Sequence, residues 1–310
     1  MVPHLQDRAA SLAALGWTGR DAEWLALVCL HSGVFLRAQY LSFCGQTYQE
    51  TVRRFLKRCG GIAVEQPWNG SRKRLYRIAS RPVYRALDAE HVRHRRAASP
   101  TVVLRRLLSL DYVLEHAMEP WLATETEKVA ALTAAGVSQA ALPRRRYERE
   151  AGSTTRYFAH KLPIALDAER ATFVFVQAED ETARAVRTWG QQHAPLWSVL
   201  RECSREVEVV VVGRDPARLA AAEGVLAGWR RASRAAPDDA AGQTAAAVAE
   251  METLRAALAT LDMRALDAYG GLNAAARRLA ELEKLTNDRN DRDRPAIDSG
   301  RTWRSTRVPA

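Results

Sequence analysis

Between Arg20 and Leu87 the chain sets three helix-patterned runs, a glycine pair and two short β-prone runs in a fixed order, which leaves little choice of small fold. The first run, Asp21 to His31, spaces Trp24, Leu25, Val28 and Leu30 along one helical face. Gly33-Val34-Phe35 turns the chain, Arg37 to Phe43 forms a short second helix, and Gly45 stops it. Thr47 is an N-cap, with Glu50 as its capping-box partner, for a third helix from Tyr48 to Cys59. Val52, Phe55 and Leu56 bury one side of that helix, which leaves Gln46, Gln49, Arg53, Arg54, Lys57 and Arg58 towards solvent. Gly60-Gly61 ends it. Ile62 to Glu65 and Lys73 to Ile78 are then two strands around a turn at Pro67-Trp68-Asn69-Gly70-Ser71. The order predicts a winged helix-turn-helix, with a wing whose tip carries Arg72, Lys73 and Arg74.

Lys and Arg outnumber Asp and Glu by 46 to 36, a formal net charge of +10, which favours an anionic partner. Charge alone does not choose among DNA, RNA and an acidic membrane. The helix with its flanking hairpin does, because positive charge at both places neutralises phosphates and releases counterions. Double-stranded DNA is therefore the expected partner. The expected contacts are Gln46, Thr47, Gln49, Arg53, Arg54, Lys57 and Arg58 on the reading helix, and Arg72, Lys73, Arg74 and Arg77 on the wing. A plain solvated face is the competing explanation of the helical charges.

At 310 residues and 47% hydrophobic content, the chain has room for about two domains. Residues 1–98 form the first. It ends in a basic stretch, Glu90 to Ala98, which either extends the DNA footprint or is a solvated linker helix. Residues 99–150 are expected to be a helical connector, patterned from Thr101 to Ala135 and broken at Pro120. Residues 151–236 change to strand patterning. A hairpin of Arg156 to Leu166 and Ala171 to Ala178 turns at Asp167-Ala168-Glu169-Arg170, then come a helix from Thr182 to Arg201, a buried strand Glu206 to Gly213 and a helix from Asp215 to Ala232. This is an α/β domain. Pro237 to Gly242 is a linker, and residues 237–286 hold apolar residues at heptad-like intervals (Met251, Leu254, Leu258, Leu261; Leu279, Leu282, Leu285), which fits either a helix docked on its own domain or a homodimer seam, the α/β domain being the other expected site of a homodimer contact. Residues 287–310, rich in Arg and Asp without apolar periodicity, read as a disordered tail.

No run of about 18 apolar residues and no basic-then-apolar leader is present, so a soluble cytoplasmic protein associated with the nucleoid is expected, with no membrane partner. Cys29, Cys44, Cys59 and Cys203 lack metal-ligand spacing and read as mostly buried thiols. His91 and His94 sit among arginines and read as surface, so no metal and no cofactor is expected. There is no phosphate-cradling Gly-rich loop, no Gly-x-Ser-x-Gly and no His-Glu-x-x-His.

The succession of winged helix, helical connector and α/β domain, over roughly Arg20 to Trp229, resembles the replication-relaxation family of bacterial plasmids and integrative elements. That resemblance implies an endonuclease-like second domain with a Pro-Asp in one strand and an acid at the end of the next. Here Leu162-Pro163-Ile164 and Phe173 to Asp180 align with those elements, and Ile164 and Gln177 stand where the acids would be. Magnesium-dependent cleavage needs hard anionic oxygens, so the aligned site would be inactive. The expected role is a DNA-binding regulator, or a replication or conjugation accessory factor, of a mobile element, with a mobile-element protein as a further partner. A divergent nuclease using Asp167, Glu169, Glu179 or Asp180 is one alternative, and a protein-interaction adaptor is the other.

Overall fold

The computed structural model describes residues 5–45, 49–68, 73–149, 152–158, 162–234, 250–290 (except 252, 259 and 261) and 295–308. The fold is mixed α+β with several sheets. The expected N-cap at Thr47, the contact at Gln46, the wing-tip Arg72 and the linker after Pro237 lie outside the described residues.

The N-terminal part runs α1 (Gln6–Ala10), α2 (Gly19–His31), β1 (Val34–Leu36), α3 (Arg37–Cys44), α4 (Gln49–Arg58), β2 (Ala63–Pro67), β3 (Arg74–Ile78) and α5 (Arg81–Ala86). Trp24 is fully buried at its centre, with ring centroids 5.4 Å from Phe35, 5.5 Å from Tyr40 and 5.2 Å from Phe43. The chain does more than turn at Gly33 to Phe35. Val34–Leu36 pairs antiparallel with Arg77–Leu75, so the hairpin β2–β3 becomes a three-stranded sheet of order β1-β3-β2. A three-residue strand is too short to show period-two patterning.

Gly33 makes that strand possible. Its φ is +75°, and a Cβ there would lie 2.5 Å from the Cβ and carbonyl oxygen of His94. Gly33→Ala is therefore expected to lower stability by about 2–4 kcal/mol, combining left-handed strain of about 1–2 kcal/mol with forced overlap of similar size. An unchanged urea midpoint would show that the segment at His94 does not sit on this turn.

That segment corrects two expectations. Arg93–Arg95 is a single 3-10 turn docked on α2 and β3, not a linker helix, and His94 is buried rather than on the surface, with Nδ1 3.2 Å from the Cys29 carbonyl oxygen. Arg77 donates to the Arg95 carbonyl, and Arg106 donates to that of His94 at 3.2 Å.

After α6 (Pro100–Glu115) come β4 (Trp121–Leu122), α7 (Glu125–Ala134), β5 (Arg144–Arg149), β6 (Gly152–Tyr157), β7 (Ile164–Leu166), β8 (Arg170–Val176), α8 (Ala183–Glu202), β9 (Glu206–Gly213), α9 (Pro216–Arg234) and, far along the chain, β10 (Ser299–Arg304). A five-stranded sheet has the order β10-β9-β8-β7-β4, parallel from β8 to β10 and antiparallel from β8 to β4. Helices α8 and α9 pack on β8, β9 and β10, and α6 packs on β8 and β9. Helix α6 also touches α2, β1 and α3, where buried Gln39 accepts from the Leu36 N–H at 3.0 Å and donates to the Leu107 carbonyl at 2.9 Å. One hydrophobic core therefore runs from Trp24 through Leu107 to Trp197.

The expected boundaries shift accordingly. The connector 99–150 is not purely helical, since Trp121–Leu122 is a sheet edge and Arg144–Arg149 is half of a separate hairpin. The expected strand Arg156 to Leu166 splits, with β6 ending at Tyr157 and β7 starting after Pro163, which has no N–H to donate to a ladder. Residues 287–310 are not a disordered tail throughout: 287–290 finish a helix, and Ser299–Arg304 lies beside Glu208–Gly213. The leucine-rich helices bury Leu254, Leu266 and Leu282 against one another in a cluster apart from the main core.

Candidate nucleic-acid interface

Helix α4 is held by its apolar side. Val52 and Phe55 are buried, and the Phe55 ring stacks on Tyr40 at 4.2 Å and meets Trp17 edge-on at 6.0 Å. The Tyr40 hydroxyl donates to Asp21 at 2.8 Å; burial, then that bond, pushes its pKa well above the ordinary value, so it stays a donor. The anchored side fixes which residues face out: Gln49, Arg53, Arg54, Lys57 and Arg58 are all exposed.

The exposed cations are not equivalent. Arg53 meets Glu50 at 3.1 Å, but with 76% and 59% of the two side chains exposed the pair holds little energy. No carboxylate partner for Arg54 or Lys57 is found among the described residues. Arg58 departs from the expectation. It pairs with Asp21, donates to the Gly16 carbonyl at 3.0 Å and lies 4.4 Å over the Trp17 ring, so it clamps α4 to the start of α2. Arg77 departs too, being partly buried and turned to the Arg95 carbonyl. On the hairpin, Lys73 is exposed and Arg74 sits 3.3 Å from Glu65, both about half exposed.

Arg37 was not among the expected contacts. It opens α3, is exposed, and reaches the Gln49 carbonyl at 3.5 Å, beside the first turn of α4. Its position on a helix start carried no periodic signal.

Buried thiols do not contribute chemistry here. Burial raises the pKa of Cys29 far above its ordinary value and that of Cys59 to about 12, which keeps both protonated. Cys203, by contrast, is exposed.

Two of the cavities among the described residues lie in the α/β half. One, of about 410 Å³, is lined by Ile164, Trp189 and His193; the other, of about 650 Å³, lies at the carboxyl ends of β8, β9 and β10 and is lined by Gln177, Arg214 and Arg304. The two positions aligned with lost acids thus open into different cavities. Ile164 pairs with Phe173, four residues before Gln177, roughly 13 Å along a strand and too far for one magnesium ion even with carboxylates at both. The alternative carboxylates are scattered as well. Asp167 caps the β7–β8 turn by accepting from Glu169 and Arg170 N–H groups at 2.8 and 2.6 Å, whereas Glu179, beyond the opposite end of β8, pairs with Arg214. Among the described residues no group of three or more His, Cys, Asp and Glu could hold a metal ion. The arginines of the second cavity are already engaged: Arg218 with Asp215 at 3.2 Å and Arg304 with the Arg214 carbonyl at 3.2 Å. Arg184 and Arg187 are exposed on α8, but Trp189 is buried against Phe175 and Trp197.

Among the described residues no helix is long and apolar enough to cross a membrane. Comparison with protein-family models, curated proteins and solved structures finds no match for this chain.

Proposed function

We propose that residues 19–78 form a winged helix-turn-helix that binds double-stranded DNA, with α4 in the groove and the β2–β3 hairpin as the wing against the backbone. One observation carries this: α4 is pinned by Val52 and Phe55 so that Gln49, Arg53, Arg54 and Lys57 face outward together, with a single exposed acid, Glu50, among them. A helix of this kind fits the major groove, where arginine and lysine read guanine edges and the remaining cations meet phosphates. Arg37 beside the first turn of α4 and Arg74 on the hairpin add exposed positive charge, and the net charge of +10 favours the encounter.

In this proposal the α/β half is a scaffold that fixes the DNA-binding half through α6, and it performs no cleavage. A regulator or a replication or transfer accessory factor of a mobile element is the form of that role which the family resemblance favours. The endonuclease-like alignment is not carried forward, because Ile164 and Gln177 belong to different cavities.

The test is an anisotropy titration of the full chain with duplex DNA. Affinity is expected to fall steeply between about 50 and 200 mM salt, as counterion release requires. Failure to bind any duplex at the lower salt would remove the reading.

A further inference from the structure

Among the described residues the hairpin β5–β6 pairs with no other strand. Its ladder runs from Arg144 opposite Tyr157 to Arg149 opposite Gly152. A two-stranded ribbon is marginal in water unless something packs on it. Among the described residues it is held at the base, where buried Phe158 donates its N–H to the Pro143 carbonyl at 2.9 Å and the Tyr157 N–H donates to Glu125 at 2.8 Å. Beyond the base, every residue from Arg144 to Glu148 is exposed.

Strand alternation sorts these side chains. Arg145, Tyr147 and Arg156 share one face, and Arg144, Arg146 and Glu148 share the other. Arg145 lies directly opposite Arg156, an arrangement that destabilises a ribbon unless an anion compensates it. Glu125 partly compensates Arg156 at 3.6 Å, while the Arg145 guanidinium lies 5.3 Å over the Tyr147 ring. The ribbon is thus a narrow cationic blade whose base is compensated by Glu125, and among the described residues no carboxylate forms an ion pair with Arg144, Arg145 or Arg146.

Resting on the reading of α4 as a DNA-binding helix, we propose that β5–β6 is a second duplex-DNA-binding element that lays its Arg145 and Tyr147 face into a major groove while Arg144 and Arg146 meet phosphates. Shape and charge select this partner. The major groove, about 12 Å wide, admits a two-stranded ribbon. Residues Arg144 to Glu148 include no aliphatic side chain to enter a membrane. The blade is also tied to the first half, because its base at Arg156 and Phe158 walls a small cleft with Val92 and His94, on the segment docked against β3.

The experiment compares the salt dependence of binding to a random-sequence duplex for the full-length wild type and three variants: R144A/R145A/R146A, Glu148→Lys, and R53A/R54A/K57A. The ribbon triple variant is expected to lower the slope of log affinity against log salt by up to about 0.9 per lost phosphate contact, and Glu148→Lys to steepen it. A photo-crosslinking phenylalanine analogue at Tyr147 should join the chain to the duplex. Unchanged affinity and slope in both ribbon variants, with weakened binding in the α4 variant, overturns the ribbon proposal and leaves the α4 reading intact. Weakening in R144A/R145A/R146A with an unchanged α4 variant would place duplex binding on the ribbon and take it away from α4. Ribbon-dependent binding to single-stranded RNA or to phosphatidylserine vesicles, with duplex binding unaltered, overturns it in favour of that partner. The Glu148→Lys arm decides the matter if the alanine variant fails to fold, and a wild type that binds no duplex removes both readings.

Discussion

A chain ending at residue 294 is expected to lose cooperative unfolding of its α/β half and to aggregate, although the removed residues have the composition of a disordered tail. Three losses coincide. Strand β10 leaves β9, whose Val207, Val209, Val210, Val211 and Val212 then form an open apolar edge of the kind that pairs with other chains. Ile297, wholly buried, and Val308 leave the core, and Asp298 no longer accepts from the Val207 N–H at 2.9 Å. Asp111, buried in α6, loses Ser305 and Arg307, the latter at 3.3 Å. Burial already raises the Asp111 pKa, and those two partners hold it down, so their removal leaves a carboxyl group with much less compensation. Stripping a partner from a buried pair costs about 3–5 kcal/mol before the strand itself is counted. Urea unfolding followed with light scattering measures the effect. A truncated chain with the wild-type midpoint would mean that β10 does not pair with β9.

Replacing Arg53, Arg54 and Lys57 together with alanine is expected to weaken binding to a preferred duplex site by at least about 100-fold, with little change in stability. Each bidentate base contact is worth about 1–3 kcal/mol, so three groups reach that factor even at the lower figure. Stability should hold because none of the three side chains packs inward; Val52 and Phe55 do that work. Arg58 is left in place because it clamps α4 to Asp21 and Trp17, so its removal would confuse loosening with lost contact. Selection of a site from random duplexes, followed by anisotropy on wild type and variant, gives the number. Equal affinities would take the reading helix away from α4.

Local pattern carried the parts of this molecule whose signals lie within one element. The apolar faces of α2 and α4, the stop at Gly45, the turn at Asp167 and the strand β9, buried from Val207 onward, could each be read because side-chain periodicity or turn chemistry is complete within a few residues. The exposure of Arg53, Arg54 and Lys57 followed from the same spacing. What sequence could not distinguish is a cation that faces solvent from one that faces a carbonyl or a ring. Arg54 and Arg58 sit four positions apart on one helix, yet only Arg58 is captured, because Asp21 and Trp17 arrive from a different segment.

The ribbon was missed for a related reason. Its signal was present in Gly152 and the Thr, Arg and Tyr residues that follow Arg144 to Arg149, but the preceding helical patterning carried the connector reading through it. The strands at Val34, Trp121 and Ser299 are harder still. They are short or polar, and β10 joins β9 across more of the chain than any local window spans. By itself the sequence determined the type of the long elements and the polarity of their faces, since these depend on neighbours a few residues away. The tertiary structure decided which short segments became strands, which arginines became clamps and which positions share a cavity, since each of these depends on backbone and charge brought in from distant parts of the chain.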